Sequence, residues 1–180
     1  VFTCTPVCAT IADVVLDANG QATLPADAAA GFSNCGAGVI ESSPLQVLDC
    51  TNVGSNTVLL TVEDGNGNMN SAACAFQVVD NNAPTAICAS PTVNLTSDGT
   101  TTVDAGFFDD GSSAVCGDVS FSASQTDFDC DDVGNTYNVT LTVTSQSSGK
   151  MATCVASVTV ADPNSFCCAP PMAVCNNITV

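Results

Sequence analysis

The cysteines of this chain fall into two sets with nearly the same spacing, and that regularity constrains the fold more than any other feature. Cys8, Cys35, Cys50 and Cys74 are separated by 27, 15 and 24 residues, and Cys88, Cys116, Cys130 and Cys154 by 28, 14 and 24. The flanking residues repeat with them. VLDANGQATL (15–24) matches LTSDGTTTV (95–103), SNCG (33–36) matches AVCG (114–117), and VLDCTNVGSNTVLLTV (47–62) matches DFDCDDVGNTYNVTLTV (127–143). APTAIC (83–88) opens the second copy and APPMAVC (169–175) has the form of a third opening. Such internal repetition marks one structural unit used in tandem. The expected division is 1–82 for the first repeat, 83–165 for the second, and 166–180 for a C-terminal tail that is either the first strand of a third repeat or an inter-subunit strand.

Within each repeat the apolar residues alternate. Val139, Leu141 and Val143 fall on one face of a strand and Asn138, Thr140 and Thr142 on the other, and Val58, Leu60 and Val62 repeat the pattern. A period of two is the signature of a half-buried strand. Asp17-Ala-Asn-Gly20, Asn52-Val-Gly54, Asp64-Gly-Asn-Gly-Asn68 and Ser97-Asp-Gly99 supply turns between the runs. No helical stripe competes, and Ala26–Ala30 offers at most a single turn. Several short strands per repeat with regularly spaced turns read as a small β-sandwich.

Composition narrows the function. The chain has 180 residues, a net charge of −17, a single Lys or Arg (Lys150) and no His. It therefore lacks the clustered cations that phosphate backbones and anionic lipid surfaces require. It also lacks the commonest general base and metal ligand. Disorder does not follow from the charge, because 46% of the residues are hydrophobic. No apolar run reaches the ~18–20 residues of a membrane-spanning helix. Twelve cysteines without a CxxC pair or a histidine point to disulfides rather than zinc, and hence to an extracellular, secreted or cell-surface location. No leader peptide is visible at Val1, which is expected if one has been removed.

The residues Pro84, Ala86, Cys88, Leu95, Asp98, Gly99, Cys116, Gly117, Phe128, Asp129, Cys130, Val133, Gly134 and Cys154 carry a further pattern. It resembles the hyalin-repeat-like, immunoglobulin-like tandem repeats of secreted bacterial surface proteins. The second copy departs from it where Ser145-Gln-Ser-Ser-Gly149 replaces the Asp64–Asn68 hairpin. The resemblance covers nearly the whole chain. It implies an all-β protein of two tandem immunoglobulin-like β-sandwich domains with a C-terminal extra strand, extracellular, elongated and not an enzyme. Four cysteines allow three connectivities. In an immunoglobulin-like sandwich the first and last strands can run side by side, so the expected bonds are Cys8–Cys74 and Cys88–Cys154. Cys35–Cys50 and Cys116–Cys130 would then each close a hairpin.

Cys4, Cys167, Cys168 and Cys175 lie outside the repeat pattern. Cys175 aligns with Cys8, but its partner strand is missing. A lone strand presents unpaired backbone groups to a neighbouring chain. Val174, Cys175, Ile178 and Val180 are therefore the expected assembly residues, adding a strand to the next copy, with Cys4 as a candidate for an intermolecular bond. The competing reading is a piece of a longer array, or internal pairing of the extra cysteines. Asn94, Asn138 and Asn177 head glycosylation sequons, and Asn94 and Asn138 alternate with apolar neighbours and so should face solvent. Asp64, Asn66, Asn68 and Asp80 are the candidate calcium ligands, although neither stretch brings a bidentate Glu toward the six to eight oxygens calcium takes. Asp109-Asp110 and Asp127, Asp129, Asp131 and Asp132 offer the paired carboxylates of a glycosidase, but they sit in loops and read as a solvated acidic rim.

The sequence thus points to a structural subunit of an extracellular fibre or surface stalk. It would be assembled head to tail with other copies of itself, disulfide-stabilised and carrying covalent glycans, with no required cofactor. It would have no nucleic-acid partner and no membrane insertion. The alternative is a calcium-dependent adhesin or carbohydrate-binding stalk module.

Overall fold

A computed structural model describes residues 4–31, 40–64 and 66–167. Twelve strands make up the described fold: β1 (Val14–Val15), β2 (Ala22–Leu24), β3 (Ile40–Ser42), β4 (Gln46–Leu48), β5 (Gly54–Glu63), β6 (Met69–Val79), β7 (Thr92–Asn94), β8 (Thr100–Thr102), β9 (Val119–Ala123), β10 (Asp127–Asp129), β11 (Thr136–Ser145) and β12 (Met151–Ala161). The only helical elements among the described residues are three 3-10 turns of three or four residues. No helix there is long and apolar enough to cross a membrane.

The topology is written twice. One four-stranded sheet runs β1-β6-β5-β3 and the other β7-β12-β11-β9, and each has a two-stranded companion, β2-β4 and β10-β8. In both copies the first strand lies parallel to the last. Val14 pairs with Val78 and Val15 with Val79, while Thr92, Val93 and Asn94 pair with Thr159, Val160 and Ala161. β5 and β6 form a ten-pair antiparallel ladder from Gly54↔Val78 to Glu63↔Met69. This is an all-β, immunoglobulin-like sandwich plan used in tandem: the alternation indicated the half-buried strands, and the resemblance implied the plan. The tail that should carry the extra strand (166–180) lies outside the described residues from 168 onward.

The described residues divide into two compact units. The first holds those up to Pro84 together with Ser113–Val119 and Thr144–Met151; the second holds Thr85–Ser112, Ser120–Val143 and the residues from Ala152 on. In the first unit Leu24 and Leu48 of the small sheet bury against Val58, Leu60, Phe76 and Val78 of the large one, with Leu16, Cys74 and Cys116 in the same cluster. In the second unit Val93, Leu95, Phe108, Phe128, Val139, Leu141, Val143, Val158 and Val160 are buried. Both cores come from the inward residues of alternating strands, and the outer faces carry Ser, Thr and Asn together with exposed apolar side chains such as Val47, Leu59 and Val155.

Four disulfides lie among the described residues. Cys8–Cys74 and Cys88–Cys154 staple the first segment of each repeat to its last strand. The hairpin pairs expected for the other repeat cysteines do not form. Cys50 bonds Cys116, and Cys130 bonds Cys167, so neither Cys35–Cys50 nor Cys116–Cys130 is made. The reason is spatial: Ser113–Val119 belongs in sequence to the second repeat but clusters with the first unit, and it brings Cys116 to Cys50. Each of the three bonds spanning 66 residues is worth about 4 kcal/mol in the chain-entropy account. Cys4 is also disulfide-bonded; Cys35, Cys168 and Cys175 lie outside the described residues.

Leu141 is fully buried. Leu141→Ala is expected to cost about 2–5 kcal/mol in urea unfolding, whereas Ser157→Ala on the exposed face of β12 should stay within about 0.5 kcal/mol. Equal effects would place the core elsewhere.

Candidate functional site

The chemistry the fold concentrates is sulfur chemistry, at two matching sockets. In the first unit Asp17 opens a tight turn: its side chain accepts from Asn19 N (2.8 Å) and Gln21 N (2.9 Å), and Gly20 N donates to Asp17 O. Gly20 has φ +72°, and a Cβ there would come within 2.7 Å of Cys50 Sγ. Glycine is required on both counts, for the left-handed backbone and for the space. In the second unit Thr96 takes the place of Asp17, with its hydroxyl on Asp98 and Thr100 and with Gly99 N donating to Thr96 O. Gly99 has φ +75°, and a Cβ there would lie 2.8 Å from Cys130 Sγ.

The cysteine side of each socket is built alike. Cys50 and Cys130 each begin a 3-10 turn closed by a capping box. Asp49 accepts from Thr51 N while Asn52 accepts from Asp49 N; Asp129 accepts from Asp131 N while Asp132 accepts from Asp129 N. These reciprocal bonds fix the direction of the Cα–Cβ bond, so the sulfur sits over the glycine.

What fills the two sockets differs. At Cys50 the partner is Cys116, 2% exposed, and Val115 Cγ1 would lie 3.2 Å from a Cβ at Gly20. At Cys130, itself exposed, the partner is the half-buried Cys167. Cys167 is held by a local turn in which the Asp162 carboxylate accepts from Phe166 N (2.9 Å) and Cys167 N (2.8 Å). The Asp17-Ala-Asn-Gly20 and Ser97-Asp-Gly99 turns were visible in the sequence. Their use as seats for sulfur was not, because that depends on strands meeting across the fold.

The other candidate residues are placed as follows. Asp64 accepts from Asn66 N (2.8 Å), Asn68 N (2.9 Å) and Asn68 Nδ2 (2.7 Å), so the stretch proposed for calcium uses its carboxylate to close its own turn. Asp80 is 4% exposed; its Oδ1 accepts from Asn82 N and Nδ2, and its Oδ2 is buried without a hydrogen-bond partner. Asp64 and Asp80 flank the 11-residue β6 and are about 35 Å apart at the ~3.3 Å rise of a strand, too far to share an ion. Among the described residues no group of three or more His, Cys, Asp or Glu could hold a metal. Asn94, on β7, and Asn138, on β11, are exposed; Asn177 and the assembly residues Val174, Cys175, Ile178 and Val180 lie outside the described residues. The carboxylate pairs considered for catalysis serve turns and strand pairing: Asp109 accepts from Gly111 N and Ser112 N, and Asp127 from the Thr102 hydroxyl. A surface cavity of about 260 Å³ beside Cys130 is lined by Thr100, Thr101, Thr102, Asp127, Phe128 and Asp129.

Hydrogen bonding lowers several of these carboxyls below an ordinary aspartate's 3.8: Asp17 through Gln21 N, Asp49 through the Thr51 hydroxyl, and Asp64 through the Asn68 side chain. A lowered folded-state value means stability that is fully present above the unfolded value and is lost as pH falls through the folded one. Asp64→Asn should therefore lower the urea midpoint near pH 6, and the gap to the unchanged protein should close as pH drops below 3.8. A gap that persists at low pH would assign the loss to shape rather than to charge.

No family model matches the chain, and no curated protein matches it. Among solved structures it is similar to protocadherin gammaB7 EC3-6, determined as a cis-dimer, at 14% identity and a TM-score of 0.44, covering 90% of this chain and 51% of that one. It is also similar to an endo-fucoidan hydrolase of glycoside hydrolase family 107, at 15% identity and a TM-score of 0.30, covering 89% of this chain and 29% of that one. The chain spans about half of the first protein and under a third of the second. What its own geometry establishes is an all-β, disulfide-stapled module whose four bonds among the described residues fit the oxidising extracellular environment.

Proposed function

We propose that this chain is a structural module of an extracellular fibre or surface stalk, not an enzyme, of the kind found in tandem repeats of secreted bacterial surface proteins. The observation that supports this best is the Cys50–Cys116 bond. It ties a segment of the second sequence repeat into the first unit, so that successive repeats are joined covalently as well as by the chain. Tension along such a chain is borne partly by sulfur rather than by packing alone. The repeats divide at 82/83, and the 166–180 tail, through Val174, Cys175, Ile178 and Val180, adds to the next copy in a head-to-tail line. Glycans on Asn94, Asn138 and Asn177 would cover the outer faces; the first two are exposed. Electron microscopy of the native secreted material should show filaments, and a chain lacking residues 169–180 should give separate particles. Separate particles from both would overturn the reading.

One observation favours a calcium-dependent adhesin instead, namely the buried and unpartnered Asp80 Oδ2 at the junction of the repeats. On that reading about 1 mM calcium, in the range extracellular modules use, raises the melting temperature of the intact chain but not of Asp80→Asn. Identical melting in calcium and in chelator would remove it.

A further inference from the structure

We propose that Asn66 is a self-modification site: in the folded chain it closes a succinimide ring with Gly67, which opens to aspartate and isoaspartate. The chain's other Asn-Gly pair, Asn19–Gly20, is held out of this reaction by the fold.

Both pairs lie in turns of the same make. Asn-Gly occurs in the sequence only at 19–20 and 66–67, and each pair follows an aspartate, in Asp17-Ala-Asn-Gly20 and Asp64-Gly-Asn-Gly67. Asp17 Oδ1 accepts from Asn19 N and Gln21 N, and Asp64 Oδ1 accepts from Asn66 N and Asn68 N. Gly20 N donates to Asp17 O and Gly67 N to Asp64 O, both at 3.0 Å. Both glycines are left-handed, at φ +72° and +80°. Local bonding therefore does not separate the two pairs.

Their surroundings do. Gly20 is buried, and a Cβ there would meet Cys50 Sγ at 2.7 Å, Val115 Cγ1 at 3.2 Å and Cys116 Sγ at 3.4 Å. The Cys50–Cys116 disulfide thus lies against this turn. Asn82 Nδ2 ties it further by donating to Asp17 O at 2.9 Å, and Asn19 Nδ2 reaches Asp17 Oδ2 at 3.5 Å. At Gly67 nothing lies within 4 Å of the corresponding position. Asn66 and Gly67 are both exposed, and among the described residues no hydrogen bond holds the Asn66 side-chain amide. The second repeat has Ser145-Gln-Ser-Ser-Gly149 at the equivalent hairpin, so it carries no such pair.

The step needs only water. Gly67 N loses its proton and attacks Asn66 Cγ. The new C–N bond forms as the Cγ–Nδ2 bond breaks, and Nδ2 takes up a proton and leaves as ammonia. Glycine favours this because it sets no side chain beside the attacking nitrogen and lets the backbone rotate into position. Water then opens the ring. Attack at Cγ gives aspartate, and attack at the backbone carbonyl gives isoaspartate, whose main chain runs through Cβ and Cγ. Either product adds a carboxylate beside Asp64. Inward-facing Val58, Leu60 and Val62 and the Cys8–Cys74 bond hold the strands that flank the turn. The modified chain therefore keeps its fold, and its negative charge grows with the age of the molecule.

The test holds the intact, oxidised chain in warm, mildly alkaline buffer and samples it over days. Peptides are mapped by mass spectrometry, and isoaspartyl groups are counted by enzymatic methylation. A reduced, thiol-blocked chain in urea is the reference, in which both pairs should convert at similar rates. In the folded chain Asn66 is expected to convert at least about tenfold faster than Asn19, because packing keeps the Gly20 nitrogen out of attack geometry. Equal rates in the folded chain would show that the fold selects neither pair. Conversion of Asn66 only after unfolding would show that its turn is closed to the reaction. Either result overturns the proposal, and neither bears on whether the chain forms filaments.

Discussion

Each unit depends on the bond between its opening segment and its last strand. A repeat of about 80 residues buries too little surface to be comfortably stable by packing alone. Its small sheet is made of three-residue strands. Cys8–Cys74 and Cys88–Cys154 close loops of 66 residues around that modest core and hold β1 against β6 and β7 against β12. With those ends fixed, the long ladder of β5 and β6 has a register it cannot slip without turning Val58, Leu60 and Val62 outward. The sulfur bonds and the hydrophobic alternation therefore specify the same arrangement.

The remaining cysteines do a different task. Cys50 and Cys130 sit at equivalent turns, but neither closes the hairpin in which the spacing places it. Each sits over a glycine and bonds a partner from elsewhere in the chain. The same capped turn thus seats a sulfur over a glycine in each unit. The high acidity has a related consequence: 18 acidic residues face a single Lys or Arg, so few carboxylates can find a cationic partner, and many work instead as acceptors for backbone N–H groups in turns and caps. Asp17, Asp49, Asp64, Asp109 and Asp129 all serve in this way. The outer faces mix Ser, Thr and Asn with exposed apolar residues such as Val47, Leu59 and Val155, and the net charge of −17 opposes non-specific association.

What the sequence by itself determined is everything that depends on local period. Alternation in Val139-Thr-Leu-Thr-Val143 set the strand and its buried face, the Gly turns set the breaks, and the cysteine spacing set the tandem repeat. The staple between first and last strands was legible too, once an immunoglobulin-like plan was adopted, since that plan lays those strands side by side. The sockets were not legible. Cys116 aligns with Cys35 in the repeat, so sequence proximity favoured short hairpin bonds. Only the tertiary structure, by seating Ser113–Val119 on the first unit, decided that Cys50 takes Cys116 and that Cys130 is left to Cys167. Disulfide choice follows distance in space, and a repeat pattern encodes equivalence between positions without encoding which equivalents meet.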